Sequence, residues 1–218
     1  MLYGIKVVLL VYHIGVGRTA VQEEELDQIG SIARKIAQAK TKGELGSILA
    51  AELAGFRNTD LQVIGGRLYA ELCRLPSPYR EQVSPYIKDQ LLGAYHRLLL
   101  DHRRAVFSAM NEPISDREMF LAFCEMMPEG CRRWDESTQR LPFRFTPYHR
   151  CFYYIISAFT IFVLEEPGHP VGMPFPGGFK VEEENGVFQC PIRDREKDVP
   201  FSICNFCPAI QDEGINRL

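Results

Sequence analysis

Three of the chain's seven cysteines fall in one short stretch near the C-terminus, "FQCPIRDREKDVPFSICNFCPAI", residues 188–210. Cys190, Cys204 and Cys207 stand in the spacing C-x13-C-x2-C. Two cysteines three positions apart can converge from a tight turn on a tetrahedral ion, with sulfur about 2.3 Å from zinc. A third at the end of a hairpin strand supplies another corner, as in zinc ribbons. There is no second C-x2-C, so a fourth donor must come from elsewhere. His169 is the expected fourth, because a chain rising about 3.3 Å per residue can bring it back to the hairpin base. Cys124, Cys131 and Cys151 compete. Cys124 and Cys151 sit in apolar helical stretches, where a free cysteine is usually a small hydrophobe, whereas Cys131 follows Gly130 in an expected loop. The plain alternative makes Cys190 a core residue and the other two incidental.

Other chemistries fit less well. A zinc deaminase needs H-x-E and P-C-x-x-C, but Val171 lies two after His169 and Ile203 precedes Cys204. A thioredoxin-like C-x-x-C opens a helix within an alternating strand and helix pattern, which this chain lacks. The glycines of "PFPGGF" precede no helix start, so a phosphate loop is unsupported. Asp101 with His102, and His96 beside Arg97, are acid–base candidates, but His102 falls on an apolar helical stripe and reads as a hydrogen-bonded core histidine. The carboxylate runs "QEEELD" and "EEEN" read as solvated faces.

The elements that would position these residues are mostly helical. Leu26, Ile29, Ile32, Ala33, Ile36 and Ala37 mark one face of a first helix. Thr41 with Glu44 forms a capping box ahead of a second, which Gly55 ends. Leu61, Ile64, Leu68, Leu72 and Leu75 stripe a third, in which Gly65-Gly66 suggests a close contact or a bend. Ser77-Pro78 and Ser84-Pro85 both resemble helix starts, and the second is expected to open a long helix from Pro85 to about Met110. Its stripe runs Ile87, Leu91, Tyr95, Leu98, His102 and Val106. Ser115 with Glu118 reads as another capping box, for a helix that stops before Pro128. Thr146-Pro147 starts the last helix, to about Glu165. Its segment "CFYYIISAFTIFVL" is apolar all round and too short for a membrane span, so it is expected at the centre of a bundle.

After Glu166 the character changes. Eight of the twelve residues 167–178 are proline or glycine. "FKVEEENGVFQCPI" then reads as a hairpin with Asn185-Gly186 as a type I′ turn. That register sets Glu184 against Val187 and Val181 against Cys190, and puts Phe179, Val181, Phe188, Cys190 and Ile192 on one face.

The whole chain has 218 residues, a formal net charge of -3 and 46% apolar residues, which suits a globular protein with no basic excess for nucleic acid. Arg103, Arg104, Arg132 and Arg133 could form a local basic patch but read as solvated helix faces. The odd cysteine number points to a reducing compartment and a cytoplasmic protein. The apolar run from Ile5 to Gly17 is too short to span a bilayer and poorly built as a signal peptide. Residues 1–20 read as a strand or extension, with a native start near Val21 as a further possibility.

The stretch "FVLEEPGHPVGMPFPGGFKVEEENGVFQCPIRDREKDVPFSICNFCPA", residues 162–209, resembles a family of small proteins found chiefly in methanogenic archaea and known as a domain of unknown function. "GHPVGMPFPGGFKVE" carries most of the likeness. The resemblance implies an archaeal, anaerobic, cytoplasmic protein and implies no activity. In an anaerobe an iron–sulfur cluster rivals zinc for the same thiolates.

The expected architecture is mainly α. It is a helical bundle over 21–165 with a central all-apolar helix, plus a small C-terminal β-hairpin and cysteine knuckle over 166–218 packed on it. The expected role is interaction or assembly with a protein partner around structural zinc held by Cys190, Cys204, Cys207 and His169. A redox protein and a metalloenzyme with an open coordination position are the alternatives, and neither nucleic acid nor membrane is an expected partner.

Overall fold

A computed structural model describes residues 20–133, 141, 143–212 and 214, the side chains of residues 20–22 apart. The expected strand or extension before residue 20 lies outside the described residues.

The first two expected helices form as read. Helix α1 (Ala20–Ala37) buries Ile29, Ile32, Ala33 and Ile36 along one stripe. Helix α2 (Lys42–Leu53) starts on the Thr41 box, where Glu44 N donates to Thr41 Oγ1 at 3.1 Å and Thr41 N donates to Glu44 Oε2 at 3.3 Å. Helix α3 (Asn58–Arg74) carries Gly66 directly beneath the Phe143 ring, where a Cβ would lie 3.0 Å from it. Gly66 is thus a close contact, whereas Gly65 faces open space.

Prolines are where the local signals mislead. Helix α4 (Tyr79–Lys88) begins after Pro78 and runs through Pro85, so Ser84-Pro85 is not a helix start. Pro85 costs the helix one donor. The Ser84 hydroxyl turns back to donate to Arg80 O at 2.5 Å. A wide turn of π-helix over Asp89–Gly93 follows and joins α4 to α5 (Ala94–Arg103), which stops short of Met110. Helix α6 (Arg117–Arg132) likewise continues through Pro128. Its cap is Asp116, whose carboxylate accepts from Met119 N at 2.8 Å, while Ser115 hydrogen-bonds to Glu165. Packing of the buried residues Phe120, Phe123, Cys124, Met127 and Cys131 outweighs the missing donor at Pro128.

Helix α7 (Pro147–Ala158), extended by a π turn over Phe159–Val163, is the apolar segment anticipated as the centre. It touches α1, α2, α3 and α6. Cys151, Phe152, Ile155, Ala158 and Phe159 are at most 1% exposed, and Phe123 and Phe120 meet Phe162 edge-on at 5.3 and 5.1 Å. Among the described residues no helix is long and apolar enough to cross a membrane.

The C-terminal region is a second, smaller core. Strands β1 (Glu182–Glu184) and β2 (Val187–Cys190) pair antiparallel with Glu184 opposite Val187, in the expected register. Asn185 and Gly186 take φ of 54° and 79°, as a type I′ turn requires. The hairpin is extended by β3 (Ile210–Gln211), which runs parallel to β2 and makes a three-stranded sheet. The proline-glycine segment folds back on the hairpin, with Gly172 N donating to Val181 O at 2.8 Å and Val181 N to Met173 O at 3.1 Å. Val181, Cys190, Met173, Phe175, Ala209 and Val83 of α4 form the buried cluster. Phe179, Phe188 and Ile192 pack around it, so the face read from the hairpin register is the one that is covered.

Candidate functional site

The cysteines occupy three different local structures. Cys190 ends β2 and is buried. Cys204 lies in a 3-10 turn over Ile203–Phe206 that inserts Ile203 and Phe206 into the bundle core. Cys207 follows that turn, half-buried against the hairpin cluster.

Two of these positions share a sequence device, because Cys190 and Cys207 are each followed by proline. Proline fixes φ and supplies no N–H, so the chain turns and later amides face back toward the sulfur. The backbone at Ile192 and Arg193 pulls the Cys190 thiol down, and the backbone at Ala209 does the same to Cys207. Cys207 Sγ also accepts from Gly168 N at 3.3 Å, which ties the proline-glycine segment to the knuckle. Cys204 has the Ser202 side chain as its polar neighbour.

Burial dominates the electrostatics of all three thiols. Burial pushes the Cys204 thiol up to about 12, helped by the charges of Cys207, Cys190 and Glu196 and opposed by Ser202. Burial likewise pushes Cys190 up to about 11, with Cys207 adding to the rise. Cys207 is also raised by burial, against the pull of Gly168, Ala209 and Arg193. All three are neutral thiols at pH 7 unless a cation joins them.

His169 follows Gly168, the residue hydrogen-bonded to Cys207. Its ring meets Phe175 edge-on at 5.6 Å, and burial lowers its pKa to about 4, which leaves a neutral imidazole at pH 7. Among the described residues no group of three or more His, Cys, Asp or Glu side chains is arranged to hold a metal ion as it stands.

The competing cysteines take other places. Cys124 and Cys151 are core residues, as expected. Cys131, read as a loop residue, lies inside α6, buried, with Cys151 adding to the burial that raises its thiol. It is fixed in the bundle and is not free to reach the knuckle. His102 is exposed, because α5 turns its last residues outward before the 3-10 turn Val106–Ala109, so it is not a core histidine. His96 is also exposed.

A polar cluster at the start of α7 escaped the sequence reading. His149 Nδ1 accepts from Thr146 N at 3.0 Å, and its Nε2 lies 3.5 Å from Asp60 Oδ1. Arg57 binds the same carboxylate through its backbone N at 2.9 Å and its Nε at 3.2 Å. Burial lowers the pKa of His149 against the opposing charge of Asp60. For Asp60, burial raises the pKa, but the hydrogen bonds from Arg57 outweigh it and leave the carboxyl lowered. Both imidazole nitrogens are occupied, so the histidine acts as a cap for α7. The signal was local: "TPYH" is a capping-box frame with His in place of Glu or Gln.

The family model described as "Uncharacterized protein conserved in archaea (DUF2115)" matches residues 41–212, from α2 through β3. The chain belongs to that family. The bundle from α2 onward and the cysteine-bearing region lie within the DUF2115 match, with α1 ahead of it, and the match bears out the resemblance drawn from residues 162–209. Among its relatives, a UPF0305 protein of Methanothermobacter thermautotrophicus is 38% identical over 117 residues, 52% of this chain and 70% of that protein. A UPF0305 protein of Methanopyrus kandleri is 46% identical over 59 residues, 27% of this chain and 42% of that one. One from Methanocaldococcus jannaschii is 22% identical over 167 residues, 75% of this chain and 92% of the relative. No solved structure matches.

Proposed function

We propose that this protein is a cytoplasmic scaffold for interaction or assembly, whose C-terminal region is closed by one structural zinc ion. Cys190, Cys204 and Cys207 would hold the ion, and His169 offers a neutral imidazole beside Gly168. The observation that carries this reading is the Gly168 amide donating to the Cys207 sulfur, with the backbone after both Cys-Pro steps pulling the thiols of Cys190 and Cys207 down against burial. Such donors favour a thiolate over a thiol, and burial alone opposes the charged form. A divalent cation supplies the charge that makes both features consistent, since coordinating thiols lose their protons.

The size of the region supports the same conclusion. Its buried cluster is small, and a metal that fastens the turn after β2 to the Ile203–Phe206 turn would offset the missing apolar burial. Binding must draw the side chains inward from the arrangement described above. The relatives come from methanogens, so an iron–sulfur cluster on the same thiolates is the second reading.

The test is anaerobic purification of the full chain, metal analysis and an absorbance spectrum. One equivalent of zinc in a colourless protein supports the proposal. Stoichiometric iron with broad visible absorption replaces zinc by a cluster. If neither metal co-purifies, and added zinc releases no protons and leaves the melting temperature unchanged, the metal reading fails. An open coordination position, as in a metalloenzyme, would show as exchangeable water on the bound ion.

A further inference from the structure

Helices α2 and α7 start on the same device built from different side chains. In the α2 box Thr41 N donates to the carboxylate of Glu44. In the α7 box the corresponding residue is His149, whose Nδ1 lies 3.0 Å from Thr146 N and 3.1 Å from Thr146 Oγ1. A backbone N–H only donates, so Nδ1 is the bare nitrogen and Nε2 carries the ring proton. Nε2 faces Asp60 Oδ1 at 3.5 Å, which fits that tautomer. A carboxylate at this position accepts at any pH above its own low titration. An imidazole takes its second proton on the atom that has to accept.

The surroundings decide which way protonation acts. Among the described residues, the charged groups facing the ring are Asp60 and Arg57 at the start of α3 and Arg144 ahead of α7. Arg67 of α3, ion-paired to Glu71, lies over the neighbouring Phe145 ring. Asp60 is the carboxylate that could hold an imidazolium, and Arg57 already engages it through its backbone N at 2.9 Å, Nε at 3.2 Å and Nη2 at 3.4 Å. His149, Thr146 and Asp60 are 9%, 7% and 6% exposed. A charged ring is poorly hydrated there, and a Thr146 N–H that loses its acceptor has little water to replace it.

From this geometry we propose that His149 makes the first turn of α7 a proton-released clasp, closed on Thr146 and α3 while the imidazole is neutral and let go when Nδ1 is protonated. The step takes one proton from solvent onto Nδ1, and the Thr146 N–H bond to that nitrogen breaks as the Nδ1–H bond forms. Burial lowers the pKa of the ring, which places release below the ordinary value of about 6.5. Release is local. Phe56 stacks on Tyr148 at 4.5 Å, and Cys151, Phe152 and Ile155 are held by apolar packing. The clasp is independent of the metal reading.

The experiment is NMR of the full-length protein from pH 7.5 to 4.5, reading the His149 ring nitrogens and the exchange protection of the Thr146 amide, with the Thr41 amide as internal control. At pH 7.5 Nδ1 is expected to be bare and Nε2 protonated. As the ring titrates, Thr146 protection should fall roughly tenfold, the size of a lost cap. Thr41 should keep most of its own, because the Lys40 and Thr41 amides hold Glu44 below the usual carboxylate range. His149→Gln, whose amide oxygen accepts at every pH, should keep Thr146 protected throughout. Asp60→Asn should move the ring titration to lower pH. A ring protonated on Nδ1 at pH 7.5, or one that does not titrate in this range, overturns the proposal. So does Thr146 protection that holds or rises as the ring titrates, because the imidazolium would then be tightening on Asp60. An equal fall in His149→Gln also overturns it and assigns the change to other groups.

Discussion

The bundle and the C-terminal region are built on different terms. In the bundle, Phe120, Phe123, Phe152, Phe159, Ile155, Leu45 and Leu49 are fully buried and lock edge-on or side by side around one helix. In the C-terminal region the buried set is short and includes a cysteine, and the chain there is held by turns and borrowed contacts. Ile203 and Phe206 reach into the bundle core, and Tyr154 of α7 donates to Phe201 O at 2.9 Å. Apolar area maintains the first region, with Ile203 and Phe206 of the second contributing to it. The second depends on its neighbour and, in the reading proposed here, on a metal.

The largest effect should come from the bundle. Phe123 touches Tyr154, Phe162 and Phe206. Phe123→Ala is expected to cost about 3–5 kcal/mol in equilibrium unfolding, by the usual sum of lost burial and cavity. Val181→Ala should cost about 1.5 kcal/mol and show itself locally, as faster amide exchange at the hairpin with α1, α6 and α7 still protected. Equal loss of protection everywhere would mean that the two cores unfold as one, and the contrast would collapse.

A middle-sized effect lies at the seam. A Cβ on Gly130 would meet Tyr154 Oη at 2.2 Å. Because that hydroxyl is held by Phe201 O, it cannot move aside freely. Gly130→Ala is expected to destabilise by about 1–3 kcal/mol. Adding Tyr154→Phe should recover part of the loss, less about 1 kcal/mol for the hydrogen bond given up. A double mutant no better than Gly130→Ala would place the strain elsewhere.

The smallest effect is a pH slope with one histidine in each region. His149 in the bundle is lowered by burial, and His169 is lowered to about 4 by burial. Unfolded, each imidazole titrates near about 6.5. As pH falls through that value the unfolded chain takes up protons that the folded chain refuses, so stability declines with acid and continues to decline toward the folded-state values. Asp60, lowered in the fold, acts only at more acidic pH. Urea unfolding at pH 7.5, 6.5 and 5.5 should show the decline, and His149→Gln and His169→Gln should each flatten part of it. A slope unchanged in both variants would assign the acid sensitivity to other groups.

Much of this architecture was legible one residue at a time. The Thr41–Glu44 box, the Thr146-Pro147 start and the Asn185-Gly186 turn are short-range devices, and each holds. Where the reading failed, a distant packing contact outweighed a nearby rule. Pro85 and Pro128 do not break helices whose buried faces continue past them. Ser115 gives up a cap to reach Glu165, fifty positions away. His102 has an apolar stripe in sequence but no core opposite it. Strand β3 was invisible because two residues carry no period, and they form a strand only beside β2.

By itself, then, the sequence determined the helical bundle, its apolar centre, the hairpin register and the face on which Cys190 lies. These follow from periods and caps that act within a few residues. The tertiary structure decided that Cys131 belongs to the bundle with Cys151, that His149 caps its own helix against Asp60, and that Gly168 meets Cys207. It also decided that Glu196 Oε2 is buried without a partner on a turn packed against that of Cys204. Those neighbours are set by the path of the chain between them, and no local pattern encodes where that path returns.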